Sequence, residues 1–263
     1  MIDFLLHVLS GAAVGFAIGL TGVGGGSLMT PLLLGFGYSA PVAIGTDLLY
    51  AAITKTGGVI SQHRRGNIDW KVVLLLASGS LPATLVLQAF LLDSNFQDSP
   101  GFEALLTRSL GVMLIVTATM MMFRGRLRKK AIDDKPGLVL GILYRHRSAL
   151  TLVMGVVLGI CVTLSSVGAG AFCAAILLIL YSKTTTSRII GTDIAHAVPL
   201  TFIAGMGYLL GGYVDLELLV ALLVGSLPAI HLGSRVGNWV PDRILNIILT
   251  SFLLGLGIKY SFF

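Results

Sequence analysis

Gly22-Val23-Gly24-Gly25-Gly26-Ser27 sits inside a long apolar run from Phe4 to Phe36. Glycine costs about 1 kcal/mol against alanine in a helix interior, so three in a row break the helix there. A break at that depth is informative, because lipid offers no partner for freed N–H and C=O groups. Irregular backbone survives inside a bilayer only where protein buries it or where it lines a watery cavity. Discontinuous helices of this kind form the substrate sites of many secondary transporters. The competing reading is close helix packing, since small residues let backbones approach in lipid.

Working outward, the 263-residue chain is 55% hydrophobic and only 11% charged, with a mean hydropathy of +0.92. That composition cannot cover a soluble globule, and the fold class expected is an all-α polytopic membrane protein. The net charge of +6 does not point to nucleic acid, because the basic residues crowd between Arg124 and Arg147, beside membrane segments. That is a topology signal, and lipid is the expected partner. Met1-Ile2-Asp3-Phe4 lacks a basic leader, so the first segment is expected to stay in the mature protein. Cys161 and Cys173 lie in apolar runs and read as small packing residues.

Apolar segments fall at about 3–21, 27–37, 40–62, 70–92 and 104–123, then at about 148–164, 170–182, 187–211, 215–233 and 243–260. One shift of 146 residues lays the second series on the first. Gly22 and Gly24 land on Gly168 and Gly170, Ile44-Gly45-Thr46-Asp47 on Ile190-Gly191-Thr192-Asp193, and Gly66 and Asp69 on Gly212 and Asp215. Gly79-Ser80-Leu81-Pro82-Ala83 lands on Gly225-Ser226-Leu227-Pro228-Ala229. The chain therefore reads as a duplication: a first transmembrane repeat over 1–123, a basic linker over 124–147 and a second repeat over 148–263.

Charge gives the relative orientation, because short cytoplasmic loops carry excess Lys and Arg. The linker and the His63-Arg64-Arg65 cluster are basic, whereas Asp93, Asp98 and Glu103 mark the opposite side. In the second half the characters swap, with Asp215 and Glu217 where the basic cluster stood and Arg235 and Arg243 where the acidic loop stood. Every loop falls on its proper side if each broken segment turns back at its glycines. The expectation is two inverted repeats of about five transmembrane or half-membrane helices each, with a broken, re-entrant first helix in each. Both termini then lie outside and the 124–147 loop in the cytoplasm.

In that arrangement the half-helices start near Ser27 and Gly170 and aim unpaired N–H groups at mid-membrane, which makes an anion site. The preceding segments bring C-terminal carbonyls to the same region, which could equally hold a proton or cation. Gly24, Gly25, Gly26, Gly168 and Gly170 would supply backbone there, with Ser27, Thr30, Thr46, Ser165, Ser166 and Thr192 as neutral hydroxyls. Asp47 and Asp193 lie about six residues inside helices that begin near the cap candidates Ser39 and Thr185. Ionisable residues at that depth are functional candidates, the alternative being carboxylates that accept N–H bonds from broken backbone. Lys55, two turns after Asp47, would attract an anion or complete an ion pair, and His196 would relay protons or pack. Pro82 and Pro228 kink their helices, with Ser80 and Ser226 placed to satisfy the freed carbonyls. No nucleophile–base pair, metal-ligand cluster or nucleotide loop stands out, and neither an enzyme nor a cofactor is expected.

Gly-Leu-Thr-Gly-Val-Gly-Gly-Gly over 19–26, Pro31, Ala43-Ile44-Gly45-Thr46 and His63-Arg64-Arg65-Gly66-Asn67-Ile68-Asp69 together resemble the TauE/SafE sulfite exporter family of bacterial membrane permeases. The resemblance implies a multi-pass inner-membrane permease that exports a small sulfur-containing anion such as sulfite, sulfoacetate or another organosulfonate. Alternating access with Asp47, Asp193 or His196 coupling protons would suit such a carrier, and a homodimer is an open possibility. The reading from another class is an intramembrane sulfur-relay or thiol-dependent protein using Cys161 or Cys173.

Overall fold

The structure, a computed structural model, describes residues 2–21, 28–92, 97, 101–133, 146–181, 184–236 and 242–262. The expectations that fall on Gly24, Gly25, Gly26 and Ser27 lie outside the described residues.

Ten helices run through these residues: α1 Ile2–Thr21, α2 Met29–Gly35, α3 Ala40–Arg64, α4 Trp70–Leu91, α5 Gly101–Asp133, α6 Arg147–Ser165, α7 Ala171–Leu180, α8 Thr186–Leu210, α9 Leu216–Val236 and α10 Asp242–Phe262. Among the described residues five stretches are long and apolar enough to cross a membrane, namely α4, Gly101–Phe123 of α5, α6, α8 and α9. Phe4–Leu20 and Ile247–Ser261 are shorter apolar stretches. The 25-residue α3 is long enough to cross, at about 1.5 Å per residue, but carries Asp47 and Lys55. Large apolar side chains such as Leu74, Val86 and Leu210 point outward, as lipid-facing residues do. The chain is an all-helical multi-pass membrane protein.

The seven residues of α2 and ten of α7 cannot span a hydrocarbon core of about 30 Å. The break before α7 is built from left-handed backbone, with Ser166 at φ 55°, Gly168 at 125° and Gly170 at 135°. Ser166 is the costly member, since a side chain at positive φ is strained where glycine is not.

Close glycine seams tie the bundle together. A Cβ on Gly11, Gly15 or Gly19 of α1 would run into the α9 backbone at Leu222, Ser226 and Ile230. Gly155 and Gly159 of α6 meet α4 at Leu76 and Ser80 in the same way, so α1 lies parallel to α9 and α6 parallel to α4. These seams relate the first helix of each half by 144 residues rather than 146, a two-residue offset that arises before the second break. By contrast α3 and α8, which correspond under the 146-residue shift, run antiparallel, with Gly45 against Tyr208 and Tyr213, Gly205 against Leu49, and Gly191 against Asn67. The helices α5 and α10 also run antiparallel, Gly111 meeting Tyr260 and Ser261 while Gly257 meets Ile115.

Both α3 and α8 end in the same turn. Asn67 N–H donates to Gln62 O and Tyr213 N–H to Tyr208 O, at 3.0 and 2.9 Å, around Gly66 and Gly212 in the left-handed region. Two sequence expectations change. Ser39 and Thr185 do occupy the N-cap positions, but neither side chain caps its helix. Instead Glu103 Oε1 accepts the Ala40 N–H at 3.2 Å. The helix α5 continues past the apolar segment to Asp133, because Arg124 to Ala131 is dominated by strong helix formers. The 124–147 linker therefore begins as helix.

Candidate functional site

Three charged side chains are buried among the described residues: Asp47 at 0% exposure, Asp193 at 2% and Lys55 at 8%. All three lie on α3 and α8, the crossing pair at the centre of the bundle. Charges at such depth are expensive, and each needs a partner to stay.

Asp47 is held by the start of α2. Thr30 N–H and Thr30 Oγ1 both donate to Asp47 Oδ2, at 3.2 and 2.5 Å. The helix therefore turns a free N–H onto the chain's own carboxylate, and Thr30 is committed to Asp47. Asp47 Oδ1 is buried with no hydrogen-bond partner among the described residues. Ser166, in the strained break before α7, lies beside this carboxyl, and its buried hydroxyl also lacks a hydrogen-bond partner among the described residues.

Lys55 reaches the other break. Its Nζ donates to Ala169 O at 3.3 Å, just before α7 begins. Asp193 and Asp47 both lie within electrostatic reach of this ammonium. Asp193 lies against the Cys173 thiol of α7. The first amides of α7 precede its closing bonds, which begin with Cys173 N–H to Gly168 O and Ala174 N–H to Gly170 O, at 3.2 and 2.8 Å. The cluster thus joins the beginnings of α2 and α7 through α3 and α8.

A second pair of contacts flanks it. His196 Nε2 and Ser80 Oγ are 2.8 Å apart, and His196 Nδ1 is buried without a hydrogen-bond partner among the described residues. Ser80 therefore serves the histidine rather than the carbonyl freed by Pro82. Under the 146-residue shift His196 corresponds to Tyr50 and Ser80 to Ser226, and Tyr50 does face Ser226. The serines were legible in the duplicated Gly-Ser-Leu-Pro-Ala string; the equivalence of Tyr50 and His196 was overlooked, although the same shift contains it.

Other candidates are placed elsewhere. Thr46 Oγ1 accepts from Asp215 N–H at 3.3 Å and Thr192 Oγ1 from Asp69 N–H at 2.9 Å, so both threonines tie the opposite half's loop to the helix ends. Arg188 adds an ion pair to Asp69 at 3.6 Å, which has no counterpart at the other end because residue 42 is valine. Ser165 Oγ spends itself on its own break, donating to Cys161 O at 2.6 Å and accepting from Val167 N–H. Gly168 and Gly170 shape that break through their backbone. Cys161 and Cys173 are both free thiols.

A helix break beside buried ionisable groups, in an all-helical multi-pass membrane protein, is the pattern of polytopic membrane transport proteins. Comparison with known proteins gives the narrower identity: the chain belongs to the sulfite exporter TauE/SafE family, whose model matches residues 7–260. It is 38% identical over 253 residues to YjnA of Bacillus subtilis, named a probable membrane transporter protein, covering 96% of this chain and 97% of that one. YdhB of the same organism and MJ0441 of Methanocaldococcus jannaschii, named likewise, are 27% and 26% identical over 260 and 276 residues. Those matches cover 96% and 97% of this chain, and 98% and 96% of the two relatives. No solved structure matches the chain.

Proposed function

We propose that the protein is a secondary transporter that exports a small sulfur-containing anion across the bacterial inner membrane. The observation that carries this reading is the buried lysine, flanked by two carboxylates and bonded to the second helix break. Its ammonium has one hydrogen-bond acceptor among the described residues, Ala169 O, and two further N–H donors to offer. A sulfite or sulfonate oxygen seated among Lys55, Ser166 and the first amides of α7 would meet donors on several sides.

Alternating access by two inverted repeats is the mechanism proposed. The antiparallel crossings of α3 with α8 and of α5 with α10 support the inversion. The face with His63, Arg64, Arg65, Lys71 and Arg188 is assigned to the cytoplasm, and the face with Glu103, Asp215 and Glu217 to the outside, with both termini. Asp47, Asp193 and His196 are the groups assigned to proton coupling.

Purified protein in proteoliposomes, loaded in turn with sulfite, thiosulfate, sulfoacetate and sulfate, tests the reading. Export of at least one sulfur anion, lost in Lys55→Ala protein that still folds, is expected. Equal leakage from protein-free and protein-bearing vesicles for every anion would reject it.

A further inference from the structure

A broken helix faces its gap with two opposite ends. The half that stops offers unpaired carbonyls and the negative end of a dipole, and the half that starts offers amides and the positive end. With both ends open, such a gap suits a cation as well as an anion. At the break between α6 and α7 the protein itself closes the carbonyl end. Cys161 O accepts from Ser165 Oγ at 2.6 Å, and Val162 O from the Ser166 N–H at 2.8 Å. Thr163 O and Leu164 O would have met the amides of Val167 and Gly168 had the helix continued, but Val167 N–H turns to Ser165 Oγ.

Two other helices supply the missing donors. The Tyr208 hydroxyl of α8 donates to Thr163 O at 2.9 Å. Ser109 Oγ of α5, whose proton is shared with Leu106 O at 2.8 Å, reaches Leu164 O at 3.1 Å. Beyond the gap, Gly168 O and Gly170 O accept from Cys173 and Ala174 N–H, and Ala169 O accepts from Lys55 Nζ. Tyr208 and Thr163 are both buried, so a Thr163 carbonyl without that hydroxyl would keep its full negative potential. Under the 146-residue shift Tyr208 corresponds to Gln62 and Ser109 to Gly255, so these two donors belong to this break and not to the plan the halves share. What the break still offers is the buried Ser166 hydroxyl, which has no hydrogen-bond partner among the described residues, and the first amides of α7.

We propose that Tyr208, seconded by Ser109, is a positioning residue for the cargo: by holding the last carbonyls of α6 it leaves the second break with donors to turn toward an anion. Neither residue touches the cargo; they act through Thr163 and Leu164. The inference deepens the transport reading and rests on it for the presence of an anion at this break.

Sulfite flux in proteoliposomes, measured for full-length wild type, Tyr208→Phe, Ser109→Ala and Thr84→Val, separates positioning from packing. Tyr208→Phe keeps the ring and bares Thr163 O. Its KM for sulfite should rise at least about fivefold, the equivalent of one hydrogen bond, while Vmax per folded protein stays within about twofold. Ser109→Ala should move KM the same way but less, because its proton is shared. Thr84 Oγ1 lies 3.2 Å from Thr163 Oγ1 in the same buried cluster, and its other contact, Gly159 O, also accepts from Thr163 Oγ1. Thr84→Val therefore bares no carbonyl at the break and should leave KM unmoved. An unchanged KM in Tyr208→Phe, a fall in Vmax alone, or an equal rise of KM in Thr84→Val would overturn the assignment. Were Tyr208→Phe not to fold, Ser109→Ala against Thr84→Val decides in its place. Wild-type flux with KM unmoved in the variants removes this inference and keeps the transport reading. Wild type that moves no anion removes the transport reading, and the positioning role with it.

Discussion

Lys55 Nζ donates to Ala169 O across 114 residues of chain, joining the middle of α3 to the helix break of the opposite half. The contact makes the break a three-dimensional feature rather than a local one. It also fixes where the only buried ammonium among the described residues stands relative to the first turn of α7.

Removing that ammonium should leave the buried carboxyl groups of Asp47 and Asp193 without the cation that both act on. Breaking a buried charge assembly from one side typically costs about 3–5 kcal/mol. Lys55→Met is expected to lower thermal stability in detergent and abolish flux, and adding Asp193→Asn should restore much of the stability without restoring flux. A double variant no more stable than Lys55→Met would show that Lys55 and Asp193 do not depend on each other.

Thr30 holds one oxygen of Asp47 with two donors, of which one is a side chain. Thr30→Val keeps the shape and the amide bond but removes the hydroxyl, at a cost of about 1–3 kcal/mol for an acceptor left buried. Thr30→Ser should stay near wild type. Chemical denaturation of the three proteins in parallel checks the order, and a Val variant as stable as wild type would dissolve the assigned bond.

The α1–α9 seam admits no side chain at its glycines. A Cβ at Gly225 would collide with Val8 O, and one at Gly15 would lie 2.6 Å from Ser226 Cα. Gly15→Leu should destabilise by more than the roughly 1–3 kcal/mol of ordinary overpacking, since backbone rather than side chain must give way. Gly255→Leu, where the surroundings are open, is the matched control and should fold normally. Size-exclusion profiles and melting curves of the two variants separate them.

The two loop latches should differ in their response to charge. Arg188→Gln removes an ion pair whose partners are 48% and 34% exposed, so a stability loss of at most about 1 kcal/mol is expected. Thr192→Val deprives Asp69 N–H of its acceptor and should cost about as much or more. If the ion pair helps hold one face closed, the Arg188 variant will shift cysteine accessibility between the two faces while its melting temperature barely moves.

A thiol mechanism predicts loss of function on removing sulfur, and a packing role predicts almost none. Cys173 is fully buried against Asp193, and Cys161 is half-buried in α6. The double variant Cys161→Ser, Cys173→Ser is expected to keep transport near wild type. Complete loss of flux in folded protein would revive the sulfur-relay reading.

Much of the helix plan was legible because hydropathy has a simple cause: a helix that crosses lipid must be apolar along its length. The segment limits for α4 and α8 lie within a residue or so of the observed Trp70–Leu91 and Thr186–Leu210. Where prediction fell short, tertiary contact was responsible. Ser39 sits at the N-cap position but does not cap; Pro41 leaves no amide at the second helical position, and Glu103 from a distant helix takes the Ala40 amide. What the sequence did not show is that the antiparallel crossing of α3 and α8 brings the loop amides of Asp215 and Asp69 to Thr46 and Thr192. The 146-residue shift also misaligned α1 with α6, since uniform apolar residues carry no register and the packing glycines do.

By itself the sequence determined that this chain lives in a membrane, that it is built from helices, that strings such as Gly-Ser-Leu-Pro-Ala recur 146 residues apart, and that charged residues stand inside its apolar segments. Those follow from composition, period and recurrence, which are properties of the chain read along its length. Only the tertiary structure decided which charges meet: Asp47 with Thr30 at one break, and Lys55 with Ala169 at the other. Such partners lie tens to more than a hundred residues apart, and the energy that selects them is the cost of leaving a buried charge or amide unmatched, a cost that exists only once the helices have closed around it.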